Sequence, residues 1–192
     1  MAQSPKGSFK LQFILDNFPE AIIKDAVCAD LGCNVGGFTR ELLRREAGQV
    51  TAIDSGYGTL AWELRQDPRV VVKERSNALH ADYLKNIDII AADLAWTRQE
   101  FIIPAAFRYL APTGTLFSLL KPQYEVPARG KNAVHTILTD AEAEQTAARV
   151  FSALRHPPTH SAHLHASPIK GGDGRHGNRE FWLTFRPKKI ID

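Results

Sequence analysis

The chain has 192 residues, about the size of one domain, and 44% of them are hydrophobic, so it can bury a core without a disulfide or a metal. Its apolar runs are too short to cross a bilayer, and its N-terminus lacks the apolar stretch of a secretory signal. The only two cysteines, Cys28 and Cys33, are too few for a disulfide framework, which favours a cytoplasmic location. The net charge of +3 is too small to identify a binding partner by itself.

Short apolar runs alternate with helical segments along most of the chain, which predicts a mostly parallel sheet covered on both faces. An amphipathic helix over residues 9–18 comes first. In chain order, the predicted strands are 27–31, 50–54, 70–73, 87–93 and 115–120, and the predicted helices are 37–47, 59–66, 78–84, 99–110 and 140–154. Pro104 should begin or kink its helix, and residues 112–114 form a predicted turn. Two further strands, 159–166 and 179–185, predict a closing antiparallel hairpin, and we expect one α/β domain over residues 1–192.

The most informative segment covers residues 30–39, because it follows a predicted strand and opens a predicted helix. Gly32 allows the chain to turn sharply at the end of the strand. Gly36 and Gly37 allow backbone to approach a ligand at a helix N-terminus. A dinucleotide-binding fingerprint would also need glycine where Asn34 stands. An NAD-dependent oxidoreductase is therefore disfavoured, although it stays open as an alternative.

Two carboxylates close successive predicted strands beside this turn. Asp30 suits a ligand with a positive group, such as the amino acid end of S-adenosylmethionine (SAM). Asp54 ends the next strand, where a carboxylate commonly binds both ribose hydroxyls of an adenosine. Such a pair is uncommon in a turn that binds nothing, so we expect a SAM site here.

The stretches 30–43 (DLGCNVGGFTRELL) and 50–72 (VTAIDSGYGTLAWELRQDPRVVV) resemble the FtsJ/RrmJ-type RNA ribose 2′-O-methyltransferases, and most closely their hemolysin A (TlyA) branch. The likeness continues through residues 87–94, 119–124, 167–171 and 177–181. It implies a single FtsJ-like methyltransferase domain with a Rossmann-like fold, a seven-stranded mixed sheet and helices on both faces. It places Asn77 at the adenine of SAM. The full set of expected SAM-binding residues is Asp30, Gly32, Cys33, Asn34, Gly36, Gly37, Phe38, Asp54, Asn77 and Asp93.

The resemblance also implies a catalytic Lys-Asp-Lys-Glu tetrad, here Lys10, Asp93, Lys121 and Glu180. The methyl of a sulfonium is already activated, so the enzyme must mainly align a ribose 2′-oxygen with it, and alignment of this kind supplies roughly 7–11 kcal/mol. Lys121 is expected to orient the hydroxyl and to accept its proton. Asp93 and Glu180 would position the two lysines, and Lys10 would hold ribose or phosphate. Burial and Lys10 would lower the pKa of Lys121 while the carboxylates would raise it, so its resting protonation stays open.

The implied substrate is RNA, above all ribosomal RNA, with tRNA and cap RNA as alternatives. Only nine residues precede Lys10, so we expect a partner or separate protein to replace the S4-type RNA-binding domain of the hemolysin A branch. On the domain itself, the expected RNA contacts are Lys6, Arg129, Lys131, Lys170, Arg175 and Arg179. Trp96 is a candidate for stacking a base, and it departs from the Asp-x-Ser-Phe usual in this branch. A non-catalytic SAM- and RNA-binding protein of the same fold is the alternative from another functional class.

Four histidines near the C-terminus raise the question of a metal site. They are His156, His160, His163 and His165. They have neither cysteine nor carboxylate beside them in the predicted strand, so no metal site is expected. The methyl transfer itself requires no metal.

Overall fold

The computed structural model describes residues 6–127, 137–172 and 177–188. Its strands are β1 (Val27–Leu31), β2 (Gln49–Ile53), β3 (Val70–Lys73), β4 (Ile87–Ala92), β5 (Leu110–Leu120), β6 (His160–Ala166) and β7 (Phe181–Pro187). They form one sheet in the order β3-β2-β1-β4-β5-β7-β6. The pairings from β3 to β5 are parallel, and those of β7 with β5 and β6 are antiparallel. The predicted seven-stranded mixed sheet with a reversed final hairpin is confirmed.

Helices cover both faces of this sheet, as was also predicted. They are α1 (Lys6–Asp16), α2 (Gly37–Arg44), α3 (Trp62–Arg65), α4 (Gln99–Tyr109) and α5 (Asp140–Ala153), with 3₁₀ turns at Ala78–His80 and Pro122–Tyr124. Helices α1, α2 and α3 pack on one face, where Leu11 and Leu42 are fully buried. Helices α4 and α5 pack on the other face, where Ile103 and Ala147 are fully buried. Parallel strands need this double cover because their apolar side chains point to both sides.

The predicted helix over residues 59–66 is wrong in its extent, since only Trp62–Arg65 is helical. The buried carboxylate of Glu74 explains the shortening. It accepts hydrogen bonds from the backbone N–H groups of Gly58 (2.9 Å) and Thr59 (3.2 Å). These bonds hold the residues before Trp62 in a loop. This loop borders the carboxyl end of β2.

The predicted helix over residues 78–84 is also wrong, since it is a single 3₁₀ turn, Ala78–His80. The turn ends there because the hydroxyl of Tyr109, in α4, forms hydrogen bonds with its backbone. The Tyr109 hydroxyl accepts a hydrogen bond from the Ala81 N–H (2.8 Å) and donates one to the Ala78 carbonyl (3.2 Å). A tertiary contact therefore outweighs the local helical preference.

The boundary between α4 and β5 also differs from the expectation. Pro104 lies inside α4, which begins five residues earlier at Gln99. Strand β5 begins at Leu110, directly after the helix. Ile87 pairs with Leu110 while Ile89 pairs with Thr115, so the predicted turn at residues 112–114 is present as an irregularity within the ladder. In the part of the chain that is described, no helix is both long and apolar enough to cross a membrane.

We expect Tyr109→Phe to lower the free energy of unfolding by about 1–3 kcal/mol, because the buried Ala81 N–H loses its acceptor. Urea denaturation monitored by circular dichroism measures this change. Tyr83→Phe is the matched control, since its ring is half exposed and its loss of a hydroxyl should cost less. Equal stability of the Tyr109→Phe variant and the wild type would show that the hydroxyl does not hold the turn.

Candidate functional site

The carboxyl ends of the central strands border a cleft of about 500 Å³. Strand β1 pairs with β2 on one side and β4 on the other, so the strand order reverses here. Ligands of open α/β sheets bind outside the carboxyl ends of the strands at such a reversal. Predicted site residues in the cleft wall are Gly32, Asn34, Asp54, Asn77, Asp93 and Lys121.

Asp54 holds the glycine-rich turn in shape. Its Oδ2 accepts a hydrogen bond from the Asn34 N–H and its Oδ1 one from the Gly56 N–H, both at 2.8 Å. Asn34 has φ +45°, in the left-handed region that residues other than glycine seldom adopt. Asparagine adopts this region more readily than most residues, and the carboxylate after β2 fixes it there, with both side chains in the cleft wall.

Asn77 continues the wall after β3. Its Oδ1 accepts a hydrogen bond from the Leu79 N–H (2.9 Å), which caps the 3₁₀ turn. The neighbouring Ser76 N–H donates to the Asp54 carbonyl (3.0 Å) and joins this loop to the one after β2. The Tyr109 hydrogen bonds at the end of this turn therefore also help to hold Asn77 in the wall of the cleft.

Asp30 lies behind the glycine-rich turn rather than in the cleft wall. It is fully buried, and its Oδ2 accepts hydrogen bonds from the Thr39 N–H (2.8 Å) and hydroxyl (2.7 Å). These bonds cap α2, whose own N-cap residue Gly36 has no side chain. Among the described residues, Oδ1 of Asp30 has no hydrogen-bond partner. Burial raises the pKa of Asp30 to about 7 against the opposing Thr39 bonds, and the charges of Asp93 and Asp54 add to the rise.

The three predicted glycines have different surroundings. Gly32 has φ +88°, and a Cβ there would lie 2.5 Å from the Asp93 carbonyl oxygen, so this position requires glycine. A Cβ at Gly36 would collide with Leu64 of α3, and one at Gly37 would lie 3.0 Å from the Gly7 Cα of α1. Gly36 also has φ +94°, which favours glycine, and the packing of α3 and α1 leaves little space for a side chain at Gly36 and Gly37. The approach of a ligand to these two glycines stays a prediction.

A smaller pocket of about 110 Å³ adjoins the cleft on the side of α1. Gly32, Asn34 and Asp93 line both spaces. The predicted residues that line only the smaller one are Lys10, Cys33, Gly37 and Phe38. The Phe38 ring packs on that of Trp182, with centroids 5.6 Å apart, and burial raises the pKa of the Cys33 thiol, which is neutral at physiological pH.

The four residues of the predicted tetrad form two ion pairs. Lys10 Nζ lies 2.5 Å from Glu180 Oε2, and both side chains are nine-tenths or more buried. Lys121 Nζ contacts Asp93 Oδ1 at the rim of the cleft. The two pairs also interact with each other, because the charge of Glu180 acts on Lys121. The structure therefore brings together four side chains that are separated by up to 170 positions in the chain.

The carboxylates decide the resting charge of Lys121. Burial acts to lower the pKa of this lysine, but the charge and hydrogen bond of Asp93 and the charge of Glu180 outweigh burial, and the pKa is raised. Lys121 is therefore an ammonium at neutral pH, which answers the question that the sequence left open. Burial raises the pKa of Glu180, against the attraction of Lys10 and Lys121.

The predicted RNA-contacting cations are only partly described. Arg129, Lys131 and Arg175 lie outside the described residues. Lys6 Nζ donates to the Gly172 carbonyl (2.9 Å), and the remaining two pair with carboxylates of α5. These pairs are Lys170 with Asp140 and Arg179 with Glu144. Among the described residues, two of the six predicted cations are thus already paired with carboxylates of the same chain.

Trp96 and the histidines complete the predicted set. Trp96 is 62% exposed, lines the cleft, and has its ring centroid 5.0 Å from that of Tyr124. His163 and His165 are partly buried, and their rings lie beside that of Phe18, which follows α1. Within the described ranges no group of three or more His, Cys, Asp or Glu side chains is arranged to hold a metal ion.

Thr39 and the buried pair Gln99 and Glu125 support the site but are not among the residues predicted from the sequence. Glu125 Oε1 accepts a hydrogen bond from the Gln99 N–H at 2.7 Å. A signal for Thr39 was present, because a helix that starts with glycines needs its cap from elsewhere. Nothing local marks Glu125, since its partner is 26 positions away.

We expect Lys10→Ala to destabilise the protein by about 3–5 kcal/mol at pH 8, because Glu180 becomes an unpaired buried charge. The loss should be smaller at pH 5, because the pKa of Glu180 is already raised by burial and rises further without Lys10, so the carboxyl takes up a proton at lower cost. Denaturant unfolding at both pH values measures the difference. Lys24→Ala, which breaks the exposed pair with Glu46, is the control and should lower the free energy of unfolding by about 0–1 kcal/mol. A loss for Lys10→Ala that is the same at pH 5 and pH 8 would contradict the assignment to Glu180.

Comparison of the chain with known proteins identifies its family. The FtsJ-like methyltransferase family matches residues 4–186. The 16S/23S rRNA (cytidine-2′-O)-methyltransferase TlyA of Mycobacterium tuberculosis is 36% identical over 187 residues, which are 94% of this chain and 67% of that protein. Hemolysin A of Brachyspira hyodysenteriae is 30% identical over 169 residues, 85% of this chain and 68% of that protein. A crystal structure described as that of a hemolysin from Lactococcus lactis is 30% identical in sequence to this chain. Its TM-score is 0.77, and the match covers 95% of this chain and 88% of that one. The chain belongs to the FtsJ-like methyltransferase family.

Proposed function

We propose that this protein transfers a methyl group from SAM to a ribose 2′-hydroxyl of RNA, with ribosomal RNA as the substrate. The observation that carries the proposal is the Lys121–Asp93 pair at the rim of a cleft that Asp54 and Asn77 also line. Family membership supports methyl transfer, and the name of the M. tuberculosis relative specifies a 2′-O-methyltransferase of rRNA.

The cleft fits SAM in size and charge. Its volume of about 500 Å³ lies within the roughly 300–1,000 Å³ of small-molecule sites. SAM carries a sulfonium and an ammonium, and Asp54 and Asp93 line the cleft while Asp30 lies behind it. In this proposal Asp54 binds the ribose hydroxyls, Asn77 contacts the adenine and the turn from Gly32 to Asn34 holds the methionine part.

The chemistry needs alignment and the removal of one proton. SAM, when bound, supplies a methyl on a positively charged sulfur, which keeps the bonding electron pair as the new C–O bond forms. Lys121 and Asp93 hold the ribose 2′-oxygen in line with that methyl. Lys121 rests as an ammonium, so it first releases its proton to solvent and then accepts the proton of the hydroxyl. Lys10, fixed by Glu180, holds the ribose or the adjacent phosphate.

We expect Lys121→Ala to lose transfer of labelled methyl from SAM to RNA by at least about 100-fold while SAM still binds. Lys121→Arg is the matched variant, because it keeps the charge beside Asp93 but cannot accept the proton. Bulk RNA and ribosomal subunits from a strain lacking the gene serve as substrates. The labelled product must resist alkali, as a 2′-O-methyl does. Labelling of both substrates undiminished in Lys121→Ala would contradict the role of Lys121, and SAM binding without labelling of either RNA would favour the non-catalytic alternative.

The raised pKa of Lys121 gives the reaction a pH dependence. Below that pKa only a small fraction of Lys121 is neutral, so the single-turnover rate should rise about tenfold per pH unit between pH 6 and pH 9. Rapid-quench measurements with saturating SAM and RNA would record the profile. A rate that does not change over this range would mean that Lys121 orients the hydroxyl as an ammonium and that another group takes the proton.

Trp96 is proposed to stack the base of the target nucleotide, because it is exposed at the cleft. Stacking contributes about 1–3 kcal/mol per base, so Trp96→Ala should raise the KM for RNA about 5- to 150-fold, while Trp96→Phe should retain most of the affinity. Steady-state kinetics with varied RNA measures KM. Phe101→Ala, which removes another exposed aromatic side chain, is the control. An equal effect of both alanine variants would refute a specific stacking role.

A further inference from the structure

Two loops at the rim of the cleft meet at three successive points. The first loop (residues 93–99) runs from the end of β4 to the start of α4, and the second (residues 121–125) follows β5. At one end Lys121 Nζ contacts Asp93 Oδ1, and in the middle the rings of Trp96 and Tyr124 lie 5.0 Å apart. At the far end the loops are joined by the hydrogen bond from Gln99 to Glu125. The Lys121–Asp93 ion pair is therefore one of several links between the same two loops.

Glu125 supplies the cap that α4 lacks. Arg98 occupies the N-cap position of this helix, and its side chain makes no capping hydrogen bond. Instead, Oε1 of Glu125 accepts a hydrogen bond from the Gln99 N–H at 2.7 Å, while Oε2 lies 3.7 Å from Nε of Arg98. A carboxylate at this end also interacts favourably with the helix dipole. Because Glu125 is only 6% exposed, the bond is protected from water.

The side chain of Gln99 links α4 to the end of β5. Its Nε2 donates to the Leu119 carbonyl (3.2 Å), and its Oε1 accepts from the Ser118 hydroxyl (2.8 Å). Both partners stand within three residues of Lys121, and Gln99 and Ser118 are almost completely buried. The start of α4 is thus bonded to the chain on both sides of Lys121.

We propose that Gln99 and Glu125 are positioning residues that keep Lys121 against Asp93, and we name these two side chains the clasp. Because lysine has a flexible stem of four carbons, the side chain of Lys121 does not fix the position of its own ammonium. Contact with Asp93 therefore depends on the distance between the two backbone segments that carry Lys121 and Asp93, and the clasp holds these segments together. The first loop needs such an anchor, because Trp96 has φ +61°, a conformation that is strained for an aromatic residue. The inference rests on the proposed methyl transfer, but its geometry concerns only this chain.

Two substitutions of Glu125 distinguish the effect of its side-chain length from the effect of its charge. Glu125→Gln keeps the length and an oxygen acceptor for the Gln99 N–H, so its kcat should stay within about threefold of the wild type. Glu125→Asp keeps the charge but is one methylene too short, so its kcat should fall about 100-fold, the loss that a misplacement of about 1 Å causes. The KM for SAM should change little in either variant. Glu100→Gln, which removes an exposed carboxylate from the same helix turn, is the matched control.

A readout independent of RNA is the pKa of Lys121, measured by NMR on protein with ¹³C-labelled lysine side chains and assigned with Lys121→Arg. In Glu125→Asp the pKa of Lys121 should fall, because contact with Asp93 loosens. In Glu125→Gln it should remain at the wild-type value. Circular dichroism and thermal unfolding verify that each variant is folded.

The outcomes distinguish the clasp from the proposed function. If folded Glu125→Asp keeps both the wild-type kcat and the wild-type pKa of Lys121, Glu125 is only a helix cap and the clasp is refuted. If the wild type methylates no RNA, the proposed function fails, and the pKa measurements alone decide on the clasp. A lower pKa of Lys121 in Glu125→Asp but not in Glu125→Gln then supports it, and the same pKa in both overturns it.

Discussion

The pairing of four charged side chains at the end of one sheet, two of them buried and two partly buried at the rim of the cleft, is the constraint on which the site depends. A charge removed from water is costly unless an opposite charge compensates it, so Lys10 needs Glu180 and Lys121 needs Asp93. Helix α1 must therefore pack beside the hairpin that carries Glu180, and β4 must end beside β5. The same compensation keeps Lys121 protonated at rest, so the interaction that holds the site together also sets its chemistry.

Side-chain carboxylates stabilise the loops around the cleft in a recurring way. Asp54, Glu74, Asp30 and Glu125 each accept hydrogen bonds from backbone N–H groups of a different chain segment. Each of these bonds satisfies a backbone N–H of a loop or of a helix start that has no partner in a regular helix or strand. These bonds therefore hold the loops of the cleft wall in place. The clasp of Gln99 and Glu125 is the member of this set that joins the two loops carrying Asp93 and Lys121.

Most strands could be predicted from the sequence because their signals are local. Buried apolar runs such as that of β4 are recognisable from hydrophobicity alone, and the reversed hairpin follows from two runs joined by glycines. The extents of the two short helical segments could not be predicted, because Tyr109 and Glu74 form hydrogen bonds with their backbone from distant positions in the chain. At the site, the motif positions of Lys10, Asp93, Lys121 and Glu180 were recognisable, but their pairing into two bridges was not.

By itself the sequence determined the order of strands and helices, the glycine-rich turn after β1 and the residue types that meet at the cleft, because these depend on periodicity, backbone freedom and motif spacing. Only the tertiary structure decided that Asp30 lies behind the turn, that Gly37 packs against the backbone of α1, and that Glu125 caps α4. The physical reason is that burial and hydrogen bonding between distant segments depend on which surfaces meet. No local pattern around a single residue records its partner across the fold.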